Sequence, residues 1–134
     1  MDKKKILVVD DEKDVLFMLE KRLTAEGYSV IIATNGTNAL QLAKSKCPDL
    51  IILDLVMPGI DGGAVAEKLK EDIRTKAIPV IFLTALLSRS EEYKDDHMIA
   101  GNITFAKPFD AGELLDQIKR LLPEEETEPQ VAKT

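Results

Sequence analysis

Hydrophobic and polar positions follow two alternating patterns along the chain. Five short runs are almost entirely apolar, which is typical of strands buried on both faces of a sheet. Between them, apolar residues recur at intervals of three and four, the spacing of an amphipathic helix. The predicted strands are Ile6–Val9, Tyr28–Ala33, Leu50–Leu53, Val80–Leu83 and Ile103–Ala106.

A helical segment follows each of these runs. The third extends from Ala64 to Ile73, with Ile73 as the last residue of its apolar stripe. The fourth is predicted from the capping-box pair Ser88 and Glu91 and has the weakest helical pattern. Strands that alternate with helices predict an α/β fold, in which helices cover both faces of a parallel sheet. The stripes of the other three helices contain Val15, Leu16, Leu19 and Leu23; Ala39, Leu40, Leu42 and Ala43; and Leu114, Leu115, Ile118, Leu121 and Leu122.

Length and composition indicate one soluble domain. The chain has 134 residues, enough for a single core, with 45% hydrophobic and 31% charged residues. The pattern predicts that residues 1–122 form the domain and that the Glu-rich segment 123–134 is a disordered tail or the start of a linker. This Glu-rich segment is compatible with a stand-alone domain and also with the N-terminal domain of a longer protein.

Charge and cysteine content exclude several classes of function. The formal net charge of −6 argues against direct contact with nucleic acid or an anionic membrane surface, because both favour a basic face. One cysteine, Cys47, cannot form an internal disulfide. The apolar run Ile6–Val9 is too short for a signal peptide, and no run approaches the length of a membrane span. These observations predict a cytoplasmic protein.

Polar side chains stand where four of the predicted strands end. Asp10 and Asp11 follow the first strand, Asp54 the third, Thr84 the fourth and Lys107 the fifth. Because ligands bind at the carboxyl ends of the strands in open parallel sheets, we expect these side chains to converge on one edge.

This set of residues suits phosphoryl transfer. Three converging carboxylates repel one another, and oxygen ligands without His or Cys suit Mg²⁺, or alternatively Mn²⁺. Lys107 adds a positive charge, so Asp54 could act as a nucleophile toward phosphorus and form an acyl phosphate. Thr84 could then donate a hydroxyl hydrogen bond to the phosphoryl group, which would provide a switch.

Four motifs together resemble the receiver domain of two-component response regulators. They are VVDDE, DLVMPGIDG, FLTA and AKPF, in this order, within roughly residues 4 to 122. The resemblance implies a flavodoxin-like doubly wound (βα)5 fold with five parallel strands in the order 2-1-3-4-5. It also implies that Asp54 accepts a phosphoryl group from a phosphohistidine on a sensor histidine kinase or a histidine phosphotransfer protein.

The resemblance assigns roles to the remaining residues. Asp10, Asp11, Asp54 and the backbone carbonyl of Val56 would hold the Mg²⁺. Lys107 would pair first with Asp54 and then with the phosphoryl group, and the bond from Lys107 to the next residue is expected to be cis. Output would pass through Thr84 to the face formed by the fourth and fifth helices and the fifth strand. That face would bind a downstream effector or a second copy of the chain.

Two departures from the family pattern affect this reading. Receivers commonly have an aromatic residue three positions before the lysine; here Thr104 stands there, and Phe105 is offset by one residue and so faces the opposite side of the strand. This offset weakens two expectations from the family: that Thr84 is coupled to an aromatic switch, and that the chain dimerises through that face. Val56 and Leu86, where the family tunes hydrolysis, are both apolar, which predicts a long-lived phosphorylated form.

Other readings of the same residues stay open. Asp10 and Asp11 could simply cap the first helix, and the domain could be an interaction module that is never phosphorylated. A phosphatase with an aspartyl-phosphate intermediate would place two acids two residues apart after the first strand, whereas Asp10 and Asp11 are adjacent. A flavodoxin would need a phosphate loop there, and an acid cluster would repel the flavin phosphate.

Overall fold

The computed structural model describes residues 3–57, 59–85, 98–99 and 102–123. Strands and helices alternate along most of this part of the chain. The strands are β1 (Lys5–Val9), β2 (Ser29–Ala33), β3 (Leu50–Asp54), β4 (Val80–Thr84), β5 (Met98–Ile99) and β6 (Asn102–Ala106). The helices are α1 (Lys13–Ala25), α2 (Gly36–Lys46), α3 (Gly62–Glu71) and α4 (Ala111–Leu121).

The strands form one sheet in the order β2-β1-β3-β4-β6-β5. The five predicted strands pair in parallel, with β6 in the fifth place, which confirms the flavodoxin-like order 2-1-3-4-5. The two-residue strand β5 was not predicted; it pairs antiparallel with the start of β6 at the edge of the sheet.

Helices cover both faces of the sheet, as the uniformly apolar strands predicted. On one face, α1 and α4 bury residues such as Leu19 and Ile118 against Ile52. On the other face, α2 and α3 bury smaller side chains, including Ala43 and Val65. Every residue of β3 and β4 is buried, so the centre of the sheet lies between two apolar layers.

The third helix is shorter than its apolar pattern predicted. It ends at Glu71, and Ile73 is 81% exposed, so the assignment of Ile73 to the buried stripe was wrong. Thr75 explains the early end, because its buried hydroxyl donates a hydrogen bond to the carbonyl of Leu69 at 2.6 Å. The Leu69 carbonyl also accepts the N–H of the C-cap residue Asp72 at 3.4 Å, so both of its partners lie beyond the end of the helix.

Several predictions concern residues outside the described part of the chain. They are the fourth predicted helix from Ser88, the hydrolysis position Leu86, and residues 124–134 of the predicted tail. Among the described residues, no helix is both long and apolar enough to cross a membrane.

Candidate functional site

The parallel register brings the predicted polar residues to one edge of the sheet. Val9 pairs with Leu53, so Asp10 and Asp54 follow neighbouring positions on adjacent strands. On the other side of β3, Asp54 pairs with Leu83. Thr84 pairs with Ala106, and the carbonyl of Thr84 accepts a hydrogen bond from the backbone N–H of Lys107 at 2.9 Å. The carboxyl ends of β1, β3, β4 and β6 therefore meet.

The alternation of side chains along each strand also places Asp54 and Lys107 on the same face of the sheet. Ile52 and Phe105 both pack in the apolar layer under α1 and α4. Since side chains two residues apart on a strand point to the same face, the side chains of Asp54 and Lys107 also point toward that layer. The sheet geometry thus favours contact between two residues that lie 53 positions apart in sequence.

Each oxygen of the Asp54 carboxylate has a partner. Asp54 itself is only 3% exposed. The backbone N–H of Val56 donates to its Oδ1 at 3.1 Å, and Lys107 Nζ donates to its Oδ2 at 3.2 Å. These contacts fix the carboxylate and compensate part of the cost of burying it.

Asp10 is the most deeply buried acid of the group. Its side chain is 0% exposed, and its Oδ1 accepts a hydrogen bond from the backbone N–H of Glu12 at 2.9 Å. Its Oδ2 forms an ion pair with Lys107 Nζ at 2.9 Å but accepts no hydrogen bond from the residues that the structure describes. This buried oxygen therefore retains acceptor capacity.

Lys107 is the cation that these acids share. Besides Asp10 and Asp54, its Nζ lies 2.8 Å from Oε1 of Glu12. Burial alone would lower the pKa of the Lys107 ammonium, but the hydrogen bond to Glu12 and the charges of Asp10 and Asp54 outweigh it and raise the pKa. The lysine therefore stays protonated throughout the neutral range. The bond from Lys107 to Pro108 is cis, as expected.

The surroundings of the Asp54 carboxyl disfavour its charged form. Burial raises its pKa above the usual value, and the charge of Asp10 acts in the same direction. The Val56 N–H and the Lys107 ammonium oppose this effect without cancelling it. One lysine does not fully compensate the negative charge gathered here, so a further cation would be stabilising.

The acid cluster meets the requirements of a divalent cation. Asp10, Asp11 and Asp54 offer carboxylate oxygens that lie within 4.8 Å of one another. Oδ2 of Asp10, which accepts no hydrogen bond within the described part of the chain, is one of the acceptors that a metal could use. Hard oxygen ligands of this kind suit Mg²⁺, which binds one or two carboxylates and keeps several waters. Asp11 is exposed, so the site opens to solvent on one side.

The remaining predicted site residues lie around this cluster. Thr84 is fully buried at the end of β4. Val56 lies in the loop after β3, with its side chain 53% exposed. Thr104 pairs with Phe82 on the same face of the sheet as Thr84, whereas Phe105 packs in the opposite layer, as the one-residue offset predicted. Thr84 itself pairs with Ala106, so Thr104 stands diagonal to Thr84 on that face, and both positions of β6 carry small side chains.

Sequence reasoning missed Glu12. The alternative interpretation, in which Asp10 and Asp11 simply cap the first helix, does not hold, since Glu12 is the N-cap residue of α1 and its side chain makes no capping hydrogen bond. It extends to Lys107 instead. The only signal in the sequence was its position directly after the acid pair, and an exposed glutamate at a helix start is too common to single out.

The fold and the site together identify the class of protein to which this chain belongs. The chain is a doubly wound α/β domain with an acidic, metal-compatible site and one lysine at the carboxyl edge of its sheet. A family model for the response regulator receiver domain matches residues 6–119. The chain belongs to this family, whose members are signalling modules of two-component systems and act with histidine kinases.

Relatives and solved structures agree with this assignment. The response regulator PleD of Caulobacter vibrioides is 41% identical over 117 residues, covering 87% of this chain and 26% of PleD. The DNA-binding dual master transcriptional regulator RpaA of a Synechocystis strain is 36% identical over 135 residues, covering 96% of this chain and 53% of RpaA. The chain thus spans about a quarter to about half of the length of these relatives.

Among solved structures, a response regulator from Chloroflexus aurantiacus has a TM-score of 0.79 and 34% identity, with 92% of this chain and 100% of that chain covered. The chemotaxis protein CheY4 of Vibrio cholerae has a TM-score of 0.77 and 28% identity, with 90% and 100% covered. Each likeness covers at least 90% of this chain.

Proposed function

We propose that this domain is a phosphoacceptor switch in which Asp54 receives a phosphoryl group from a phosphohistidine on a histidine kinase or a histidine phosphotransfer protein. The observation that carries this proposal is the arrangement around Asp54. Its buried carboxylate contacts Lys107 at 3.2 Å. Carboxylate oxygens of Asp10 and Asp11 lie within 4.8 Å, close enough to bind the same metal ion as Asp54.

In the transfer, an Asp54 carboxylate oxygen attacks phosphorus and forms the new P–O bond. The P–N bond to the histidine breaks, and its electron pair returns to the imidazole. Lys107, fixed at the strand end, would neutralise charge on the phosphoryl oxygens. Thr84 would donate its hydroxyl to the phosphoryl group once it is present.

A Mg²⁺ ion would be held by Asp10, Asp11, Asp54 and the backbone carbonyl of Val56. Bound there, it supplies charge neutralisation for the phosphoryl oxygens. Asp10 is buried and ion-paired to Lys107, so it would also hold that lysine in place. We infer an output through Thr84 toward the face formed by the predicted fourth helix, β6 and α4, which is the fifth predicted helix. Thr104 of β6 stands where receivers commonly have an aromatic side chain.

Incubation with acetyl phosphate and Mg²⁺, followed by intact mass spectrometry, tests the proposal. We expect the wild-type chain to gain one phosphoryl group, Asp54→Ala to gain none, and omission of Mg²⁺ to suppress the gain. Asp116→Ala, which removes an exposed acid from α4, is the matched control and should behave as wild type.

Other outcomes would favour the other classes. If the wild-type chain gains no phosphoryl group, the domain is better described as an interaction module that is not phosphorylated. If it hydrolyses the acyl phosphate with many turnovers and no accumulation on Asp54, it acts as a phosphatase.

A further inference from the structure

Glu12 occupies an unusual position for an exposed residue. Its side chain is 60% exposed, yet its Oε1 lies 2.8 Å from Lys107 Nζ, the shortest of the three ion-pair distances of that lysine. The two residues are 95 positions apart in sequence. The contact therefore exists only because the fold brings the start of α1 next to the end of β6.

The backbone around Glu12 is held in place independently of this contact. Its N–H donates to Oδ1 of Asp10 at 2.9 Å, and its carbonyl accepts the N–H of Leu16 at 3.2 Å as the first bond of α1. An N-cap side chain commonly accepts a hydrogen bond from its own helix. Glu12 makes no such bond, so its carboxylate is available to Lys107.

Lys107 is almost fully engaged by the three acids. An ammonium group has three N–H donors. Lys107 donates to Glu12 and Asp54, while Asp10 forms the third ion pair. When Asp54 is phosphorylated, the donor that contacts its Oδ2 can pass to one phosphoryl oxygen, but a second phosphoryl oxygen can bind the ammonium only if Asp10 or Glu12 withdraws. Asp10 is buried and would remain uncompensated, whereas Glu12 can be solvated by water at little cost.

We propose that Glu12 is a positioning residue that holds the Lys107 ammonium while Asp54 is unmodified and must release it before Lys107 can bind a second phosphoryl oxygen. Glu12 thereby competes with the phosphoryl group for the same cation and weakens the phosphorylated state. This inference rests on the proposed function of Asp54, Lys107 and the metal site.

Beryllofluoride, a tetrahedral anion that stands in for a phosphoryl group on a carboxylate, is the probe for this competition. Its dissociation constant is measured by isothermal titration calorimetry on the whole chain at saturating Mg²⁺. Glu12→Gln should tighten binding roughly three- to fivefold, the effect of losing one partly exposed charge pair. A purely structural role of Glu12 would instead predict weaker binding or none.

Two further variants separate direct contact from overall charge. Glu20→Gln removes one exposed acid from the same helix and should leave the dissociation constant unchanged. Glu12→Asp keeps the charge but shortens the side chain by one methylene, so it should also tighten binding if the direct contact is what matters. Equal binding by wild type and Glu12→Asp would overturn the proposal.

The failures of the two proposals are distinguishable. If wild type neither binds beryllofluoride nor gains a phosphoryl group from acetyl phosphate, the proposed function fails. If wild type does both and Glu12→Gln binds no more tightly, only the role of Glu12 fails.

Discussion

The backbone of Gly62, the first residue of α3, packs directly against the carbonyl group of Asp54, the last residue of β3. A Cβ atom at Gly62 would overlap that carbonyl oxygen and stand 2.8 Å from the Cα of Leu55. The N–H of Gly62 also donates to the Leu55 carbonyl at 3.0 Å. The loop that carries Val56 is therefore held at both ends, and the position of Asp54 depends on a residue without a side chain.

Gly62→Ala should accordingly damage both stability and the site. The new methyl group meets backbone atoms that cannot rotate away, so we expect a loss of about 1–3 kcal/mol in the free energy of unfolding, as for overpacking elsewhere. Urea unfolding gives this loss, and the rate of phosphorylation by acetyl phosphate should fall as well. Gly63→Ala is the control, because its Cβ would have only an ordinary contact of 3.4 Å with Asp61 Oδ1. Equal stability of the two variants would contradict this account.

Lys107→Met should destabilise the metal-free protein and make its stability more dependent on Mg²⁺. Without the ammonium, Asp10 and Asp54 are left as buried acids with no cation, which costs about 3 kcal/mol. Mg²⁺ should restore part of this loss, since it no longer competes with a lysine. Urea unfolding with and without Mg²⁺ measures both effects.

The control is Lys119→Met on α4, where an exposed pair with Glu26 at 3.3 Å is removed. That change should stay within about 0.5 kcal/mol, as for surface pairs in general. If both lysine variants lose the same stability, Lys107 does not neutralise the cluster as its contacts indicate.

Asp54→Asn should stabilise the metal-free protein, and the gain should depend on pH. The pKa of Asp54 in the folded state is raised, chiefly by burial, above its usual value of 3.8. Between those two values the native state binds more protons than the unfolded state, so stability falls as pH rises through this window. Above the raised pKa the penalty is fully present, and below 3.8 it is absent.

The variant removes this penalty, so its gain should be on the order of 1 kcal/mol at neutral pH, a typical single-substitution effect, and should vanish in acid. Denaturant unfolding of wild type and Asp54→Asn across pH checks this, with Asp116→Asn as a neutral control. A gain that grows as the pH is lowered would contradict the assigned direction of the shift.

The phosphorylated form should be long-lived. The Val56 side chain is 53% exposed beside Asp54 and has no polar group with which to orient an attacking water. Loss of label from purified phosphorylated protein should therefore take minutes or longer, and Val56→Asn should shorten it. A half-life of seconds for the wild type would rule the prediction out.

Cys47→Gly should stabilise the domain away from the site. Cys47 ends α2 in the left-handed conformation, with φ of 48°, which glycine adopts without a steric penalty. The gain should be about 0.5–1 kcal/mol in urea unfolding, because relief of strain exceeds the added chain entropy. Ser45→Gly, within the same helix, should instead lose a similar amount. A loss for both variants would show that the backbone at Cys47 is not strained.

Much of the fold follows from the sequence. The apolar runs predicted five strands of the sheet, because a strand buried on both faces needs apolar residues at nearly every position. The same reasoning placed Asp10, Asp54 and Lys107 at strand ends, and the parallel register then brings them together at one edge. These features depend on local burial and on the direction of the strands, both of which a sequence pattern encodes.

Tertiary structure decided what local patterns cannot express. Helix α3 ends at Glu71 rather than at Ile73 because the Thr75 hydroxyl bonds the Leu69 carbonyl, a contact outside any helical period. The Glu12 side chain binds Lys107 instead of capping α1, because the fold places the ammonium within its reach. The sequence determined which residues are buried and where the strands end. How the charges at that edge share one lysine depends on distances between side chains far apart in the chain, and these only the folded structure sets.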